Sequence, residues 1–540
     1  MAIAPTVRSF FESVAGRFES REARLCPGKT LPGPVRCAPE LSQCGPAPAR
    51  SRPAPGPGAV RRLPSAPFLL GAAQRWVGDR RRPRGHPGQV PRPPAVFPGP
   101  SLRQPTAAAH GAGGDRQLPG AQPRFFCSFT FFDQVEATSP FPPATLLLPR
   151  WQVVRQGQAN RHLHHRLPKD QAESSFVANF QLRQGQVNPQ EAREAWEVYC
   201  QLQALPRRDR LRAVQRSRSQ AAAAVHSTAD ATANATGGSS SRLQCEFDGE
   251  AFEASVAAVL EAIDQGPGPG PGPGPDPGPE PLHKAVMAQV LKVQAESPLD
   301  PAAALVALRS RHPDCYSFSV GNGSGAVFLG ASPERLIQVR QRHLHTEALA
   351  GSAPRGDTPA TDIQLAQSLR TSPKELHEHR LVADFIGQQL QALGLTPQLA
   401  PEPQVLQLTG IQHLQTPIQS PLPPSIHPFE VLASLHPTPA VAGVPRQAAC
   451  EQIRQWEGFE RSLYASPLGW IDGQGNCEFC VGIRSALIQG CEAQLFAGAG
   501  IVSGSIPAQE KAEVILKLHA LLSALMGGDR PSPLSDCSST

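Results

Sequence analysis

What this chain lacks narrows its function before any motif is read. No run of apolar residues reaches the roughly 20 that a bilayer-spanning helix needs, so no membrane partner is expected. Charged residues make up 18% of the chain and the net charge is +6, too mild a field to mark a nucleic-acid binder. Aromatic residues are only 6%, and few interleave with basic ones where they could stack on bases. No G-x-S-x-G nucleophile elbow, no P-loop lysine and no paired zinc-protease histidines occur; His377-Glu378-His379 has the wrong spacing. The 12 cysteines are scattered through 540 residues rather than set out as a small disulfide framework, which favours a reducing compartment and a cytoplasmic location.

Proline (59) and glycine (47) are abundant instead, and they are unevenly placed. Met1 to Phe18 could form a short amphipathic helix. Cys26 to Gly114 is then rich in Pro, Arg, Gly and Ala, with Glu40 and Asp79 its only acidic residues. Such a stretch cannot bury enough apolar surface to offset its ordering entropy. Residues 1–123 are expected to be a disordered leader, with an organelle (plastid) transit peptide, a basic arm or a mistranslated segment as alternatives. Residues 124–527 have a globular texture, interrupted by a Gly/Pro insertion at 266–281. Residues 528–540 are expected to be a flexible tail.

Within the globular part, Leu146 to Val154 predicts one strand. Phe252–Ile263 reads as helix, and Lys284–Leu291 as strand or helix. Gly321-Asn322-Gly323 signals a hairpin within Cys315–Leu329, and Tyr464–Ile488 reads as two strands around Asp472-Gly473-Gln474-Gly475. Lys374–Leu393 and Ala508–Leu525 carry apolar residues at helical spacing. Hairpins mixed with long helices imply an α+β layered body. The cluster His162, His164, His165 reads as an exposed strand or turn, with a metal site the alternative. Cys477-Glu478-Phe479-Cys480 reads as part of a strand, since no second cysteine pair accompanies it.

The last helix carries Glu510, Glu513 and Lys517 at i, i+3 and i+7, on one face beside the leucine stripe. Glu375 and Glu378 repeat the i, i+3 pair on the earlier helix. Two such helices can converge on one hard divalent cation, and an all-oxygen ligand set favours Mg²⁺; two solvated helix faces are the alternative. Ala497 to Ser505 is a run of small residues that could approach an anion at the helix N-terminus, or serve only tight packing. Ser505 is a candidate cap, with Pro507 in the first turn. Arg484, placed on the preceding strand, and Lys517 would add positive charge toward a carboxylate ligand.

Several segments, in this order, resemble the chorismate-utilising enzymes. They are Ala331-Ser332-Pro333-Glu334-Arg335-Leu336, Leu349 to Gly356, Lys374 to Val382, Gln412-His413-Leu414, and Ala497 to Ser505 with its following Glu-x-x-Glu. The resemblance runs from about Arg124 to Gly527. It implies a layered α/β sandwich of two related subdomains with large, mostly antiparallel sheets, binding chorismate with Mg²⁺. His283 to Ala288 resembles the segment bearing the water-activating lysine of isochorismate and salicylate synthases, and Glu334 falls fifty residues on, where the family places its general acid. Leu435 to Gly443 resembles isochorismate synthases more than salicylate synthases. Two segments depart from the family pattern: Cys127-Ser128 stands where a Gly-Gly pair is usual, and Ala288-Gln289 where Ala-Arg or Ser-Arg is usual.

The resemblance therefore implies an isochorismate synthase, an isomerase of the menaquinone or phylloquinone (quinone-pathway) type. Lys284 would be the base, with a pKa lowered by burial, and Glu334 the acid, with a raised pKa. Glu378 and Glu513 would bind Mg²⁺, with Glu375 and Glu510 supporting its water shell. Gly351 and Ser352 would line the ring pocket, and His413 would steer the metal-side carboxylate. Tyr464, Arg484, Gly498 and Lys517 would hold the enolpyruvyl carboxylate. A monomer is expected. The alternatives are salicylate synthase, another member such as anthranilate synthase component I, or a catalytically inactive interaction protein.

Overall fold

The computed structural model describes residues 122–156, 173–179, 189–204, 243–265 and 280–525. The helix expected at Met1–Phe18, nearly all of the leader, the histidine cluster, most of the Gly/Pro insertion and the tail lie outside the described residues.

The strands are β1 (Arg124–Phe129), β2 (Ala144–Leu147), β3 (Trp151–Gln156), β4 (Glu173–Ala178), β5 (Leu243–Glu246), β6 (Lys284–Ala295), β7 (Tyr316–Gly321), β8 (Ala326–Ser332), β9 (Arg335–Arg340), β10 (His343–Pro354), β11 (Gln398–Leu399), β12 (Gln404–Gln407), β13 (Ile411–Pro421), β14 (Gly443–Val444), β15 (Pro467–Asp472), β16 (Cys477–Val481), β17 (Ser485–Gln489) and β18 (Glu492–Val502). The helices are α1 (Pro189–Ala204), α2 (Gly249–Gln265), α3 (Pro301–Arg311), α4 (Pro359–Thr371), α5 (Pro373–Ala392), α6 (Pro428–Leu435), α7 (Arg446–Trp456) and α8 (Pro507–Leu525).

Two large sheets organise the body. A nine-stranded sheet runs β11-β13-β10-β9-β16-β15-β1-β2, with β12 also on β13, and a seven-stranded sheet runs β14-β6-β18-β17-β8-β7, with β5 also on β6. Their pairings are antiparallel throughout; hairpins join β7–β8, β9–β10, β15–β16 and β17–β18, while pairs such as β6–β18, β8–β17 and β9–β16 bring distant parts of the chain together. Helix α5 packs on β10 of the first sheet, and α8 and α2 pack on β18 and β6 of the second. This repeated sheet-and-helix layering is the α+β sandwich that the sequence implied.

Local chemistry explains the element ends. Helix α5 starts at Ser372, whose hydroxyl accepts the Glu375 amide, with Pro373 in the first turn. It buries Val382, Ile386 and Leu390, while α8 buries Val514, Leu518, Leu521 and Leu522. In the β15–β16 turn, the Asp472 carboxylate accepts the Gln474 and Asn476 amides.

Five local expectations need correction. Leu146–Val154 is two strands in different sheets, because Leu148-Pro149-Arg150 separates β2 from β3 and proline cannot donate to a ladder. Segment 464–488 holds three strands, not two, since Ser485 begins β17. Ala497–Val502 is no loop at a helix N-terminus. It is the end of β18, paired residue by residue with β6 from Gly498↔Ala288 to Val502↔Lys284. Arg484 lies in the link between β16 and β17, with a left-handed backbone (φ 49°), rather than on a strand. The Ser505 hydroxyl accepts the Val502 amide instead of capping α8.

Candidate active site

The residues singled out in the sequence converge on one cleft. Its walls include Glu334, Gly351, Ser352, Glu375, Glu378, His413, Tyr464, Arg484, Gly498, Glu510, Glu513 and Lys517. Lys284 lies just beneath this surface, fully buried, with its Nζ donating to Glu378 Oε1 at 2.9 Å. Both sheets contribute to the cleft: β6 and β18 from one, β10 and β13 from the other, with α5 and α8 alongside.

The Lys284–Glu378 pair exists because β18 carries no side chain at Gly500. A Cβ there would stand 2.4 Å from Glu378 Oε1 and 3.1 Å from Lys284 Cε. The small residues of this stretch thus make room for charged side chains. Across the cleft, the β10–β13 register shifts between Ala350 and Ser352, and Gly351 has φ +77°. The bulge aims the Ser352 amide at Glu375 Oε2, 2.8 Å away.

Glu334 sits in the two-residue link between β8 and β9. It is buried, and its pKa is pushed up to about 8, first by burial and then by the negative Glu347, while Lys284 and a hydrogen bond from Thr438 pull the other way. Glu375 is raised to about 7 by burial and by Glu378, with Glu513 adding to the rise. Burial also pushes Glu513 up, but Lys517, Lys374 and Lys284 together outweigh it and leave this carboxyl below its ordinary value. Glu510 is buried and accepts Lys374 Nζ at 2.8 Å.

The cationic end of the cleft is equally constrained. Arg484 NH2 lies 2.9 Å from His413 Nε2. Guanidinium can only donate, so Nε2 accepts and the His413 proton sits on Nδ1, facing the Ser352 hydroxyl at 3.1 Å. Burial and the charges of Arg484 and Lys517 hold this imidazole well below its ordinary pKa, hence neutral. Both ring nitrogens are therefore engaged by the protein. Lys517 donates to the Gly498 carbonyl at 2.7 Å and pairs with Glu513 at 2.7 Å. Tyr464 stacks on Phe496, with ring centroids 5.2 Å apart.

Among the described residues, no three His, Cys, Asp or Glu side chains close into a ready metal cage. Mg²⁺ usually takes one or two carboxylates and keeps several waters. Glu375 feels the charges of Glu378 and Glu513, which a hard cation would relieve, and the oxygens of all three suit Mg²⁺. The donor set fits.

Sequence reading missed Thr438, Ser332, Glu347 and Lys374 as partners of the site. Thr438 and Ser332 lie inside segments that carried the family resemblance. Lys374 likewise opens the resembling segment Lys374 to Val382, whereas Glu347 gave no signal of its own, because only tertiary pairing sets what it touches.

The sequence model of the family described as chorismate binding enzyme matches residues 165–526, well over half of the chain, and the chain belongs to that family. It is 42% identical over 253 residues to the salicylate biosynthesis isochorismate synthase of Pseudomonas aeruginosa, covering 46% of this chain and 53% of that one. It is 38% identical over 247 residues to an isochorismate synthase of Bacillus subtilis, covering 46% and 52%. Against the chloroplastic isochorismate synthase 2 of Arabidopsis thaliana it is 37% identical, covering 45% and 43%. The chain thus spans about half the length of these relatives. The solved menaquinone-specific isochorismate synthase of Escherichia coli superposes with a TM-score of 0.54 at 28% identity, covering 76% of this chain and 81% of that one. Anthranilate synthase component I of Streptococcus pneumoniae shares the fold, with a TM-score of 0.54 at 19% identity.

Proposed function

We propose that this protein is an isochorismate synthase, converting chorismate to isochorismate. The observation that carries the reading is a buried lysine and a buried carboxyl of raised pKa in electrostatic contact at one cleft. The cleft holds carboxylates on α5 and α8 and the cations Arg484 and Lys517.

In this reading Lys284 removes a proton from water, which adds at C2. Glu334 gives its proton to the C4 hydroxyl, which departs as water while the ring double bonds shift. Water enters and water leaves, so the net change is an isomerisation. Lys284 donates to Glu378 in this structure, which fixes its Nζ beside the cleft. Arg484 and Lys517 supply charge for the enolpyruvyl carboxylate beside Tyr464 and Gly498, and His413 orients Arg484. Gly351 and Ser352 line the ring side. Glu378 and Glu513 would hold Mg²⁺, with Glu375 and Glu510 behind them. The ion would supply charge neutralisation at the ring carboxylate.

The product would enter a menaquinone or phylloquinone pathway, as the name of the menaquinone-specific E. coli relative suggests. The P. aeruginosa relative, named for salicylate biosynthesis, supplies the competing fate. A monomer in the cytoplasm is proposed; two relatives named chloroplastic make a plastid the alternative. Incubation with chorismate and Mg²⁺, followed by chromatography, should give isochorismate. Fluorescent salicylate as the end product would assign the chain to salicylate synthesis, and unchanged chorismate would refute both. Glu513→Gln should weaken Mg²⁺ dependence at least tenfold; an unaltered Mg²⁺ titration would remove Glu513 from the metal site.

A further inference from the structure

Glu347 lies on β10, outside the cleft lining, with one carboxylate oxygen on the peptide that follows Glu334 and the other anchored to β13. Oε1 accepts the Arg335 amide at 3.3 Å, the peptide directly after Glu334. Oε2 accepts Gln415 Nε2 of β13 at 2.6 Å. The Glu334 peptide is held at its other ends too: its amide donates to Ser332 Oγ at 3.2 Å, and its carbonyl accepts the Val481 amide at 3.1 Å. A half-buried carboxylate thus braces the link that carries the acid, with β10 and β13 behind it.

We propose that Glu347 is a positioning residue that acts through Glu334: it pins the Glu334–Arg335 peptide and turns a fixed negative charge toward the Glu334 carboxyl. This deepens the isochorismate synthase reading and rests on it for the role of Glu334. A general acid must keep its proton until the leaving hydroxyl takes it, and a neighbouring like charge favours the neutral carboxyl.

The other groups around Glu334 do not supply this. Lys284 on β6 and the Thr438 hydroxyl favour the ionised form. Tyr464 and Cys480 also feel Glu334, and burial holds both in their neutral forms. Arg335 feels the Glu347 charge ahead of its other charged neighbours, and directs Nε to the Tyr316 hydroxyl at 2.9 Å. Glu347 is therefore the one negative side chain shown to act on Glu334 among the described residues.

The test is an infrared pH titration of the protonated-carboxyl band, assigned by its loss in Glu334→Gln, run beside pH profiles of chorismate turnover. In Glu347→Gln an acceptor remains for the Arg335 amide but the charge is gone, so the Glu334 midpoint should fall by about one pH unit. The basic limb of turnover should fall with it. Glu347→Asp keeps the charge and should restore the midpoint even if its shorter reach costs stability. Glu347→Thr serves the same purpose as the glutamine should that variant fail to fold. A midpoint in Glu347→Gln or Glu347→Thr equal to the parent overturns the proposal and leaves Glu347 a purely structural brace. If the parent does not turn over chorismate, the isochorismate synthase reading fails, while the infrared titration still decides whether Glu347 acts on Glu334.

Discussion

At the scale of single residues, the site rests on giving two ionisable groups opposite tasks. Burial and the Glu347 charge outweigh Lys284 and Thr438 at Glu334, so it holds a proton until the pH passes about 8. Lys284 is buried against a carboxylate. Glu334→Gln should lower kcat by ~10²–10⁴-fold, the usual worth of a general acid, while chorismate binding changes little. Steady-state kinetics at pH 7 checks this. Turnover of the parent should decline as the pH rises through about 8, because the acid form is then lost. The stability effect has the same sign. The folded pKa lies above the ordinary 4.5, so between 4.5 and about 8 the native state holds a proton that the unfolded state has lost. Stability drawn from this group declines as the pH rises across that window. Urea midpoints of the parent and Glu334→Gln should therefore converge toward acid and separate toward pH 8.

At the scale of elements, the decisive event is the close approach of α5 to β18. Gly500 permits it, and the atoms a Cβ would meet are the ends of two flexible side chains rather than backbone. Gly500→Ala should therefore fold with little loss of stability but push Glu378 and Lys284 apart. A displacement of about 1 Å at reacting groups can cost on the order of 10²-fold in rate, which is the loss expected here. Thermal melts and turnover measured on the same preparation would separate the two effects, and a wild-type rate would mean that the pair tolerates displacement. Helices α5 and α8 were legible in the sequence because their signal is local: apolar residues at helical spacing, Pro507 in the first turn of α8, and carboxylates at i and i+3. The strand nature of Ala497–Val502 was not. Its glycines and alanines lack strand propensity, and only pairing along β6 makes it a strand. Lys284 stayed open between helix and strand for the same reason. Arg335 and Glu347 lie 12 residues apart in sequence, and no periodicity announces the contact that antiparallel pairing gives them.

For the whole molecule, the question is what keeps two large sheets and their links in the register the cleft needs. A buried ion pair does much of this. Arg461, 1% exposed, donates to both carboxylate oxygens of Glu457, to the Val441 carbonyl at 2.8 Å and to the Val286 carbonyl at 2.7 Å. Glu457 also accepts the Ala288 amide at 2.8 Å. One pair thereby ties the end of α7 to β6 and to the link that carries Thr438, while the guanidinium covers the rings of Phe131 and Tyr464. Val286, Val441 and Tyr464 all line the cleft. The sequence offered no more than an acid and a base four residues apart, since its worth comes from backbone groups more than 150 residues away. Removing one partner of a buried pair strands the other charge and typically costs ~3–5 kcal/mol. Glu457→Ala should lower the unfolding free energy by that much, read as a lower urea midpoint at an unchanged m-value, and raise KM for chorismate as the Val286, Val441 and Tyr464 walls loosen. A loss below about 1 kcal/mol would place the pair with ordinary surface bridges and leave the register of the cleft to hydrophobic packing alone.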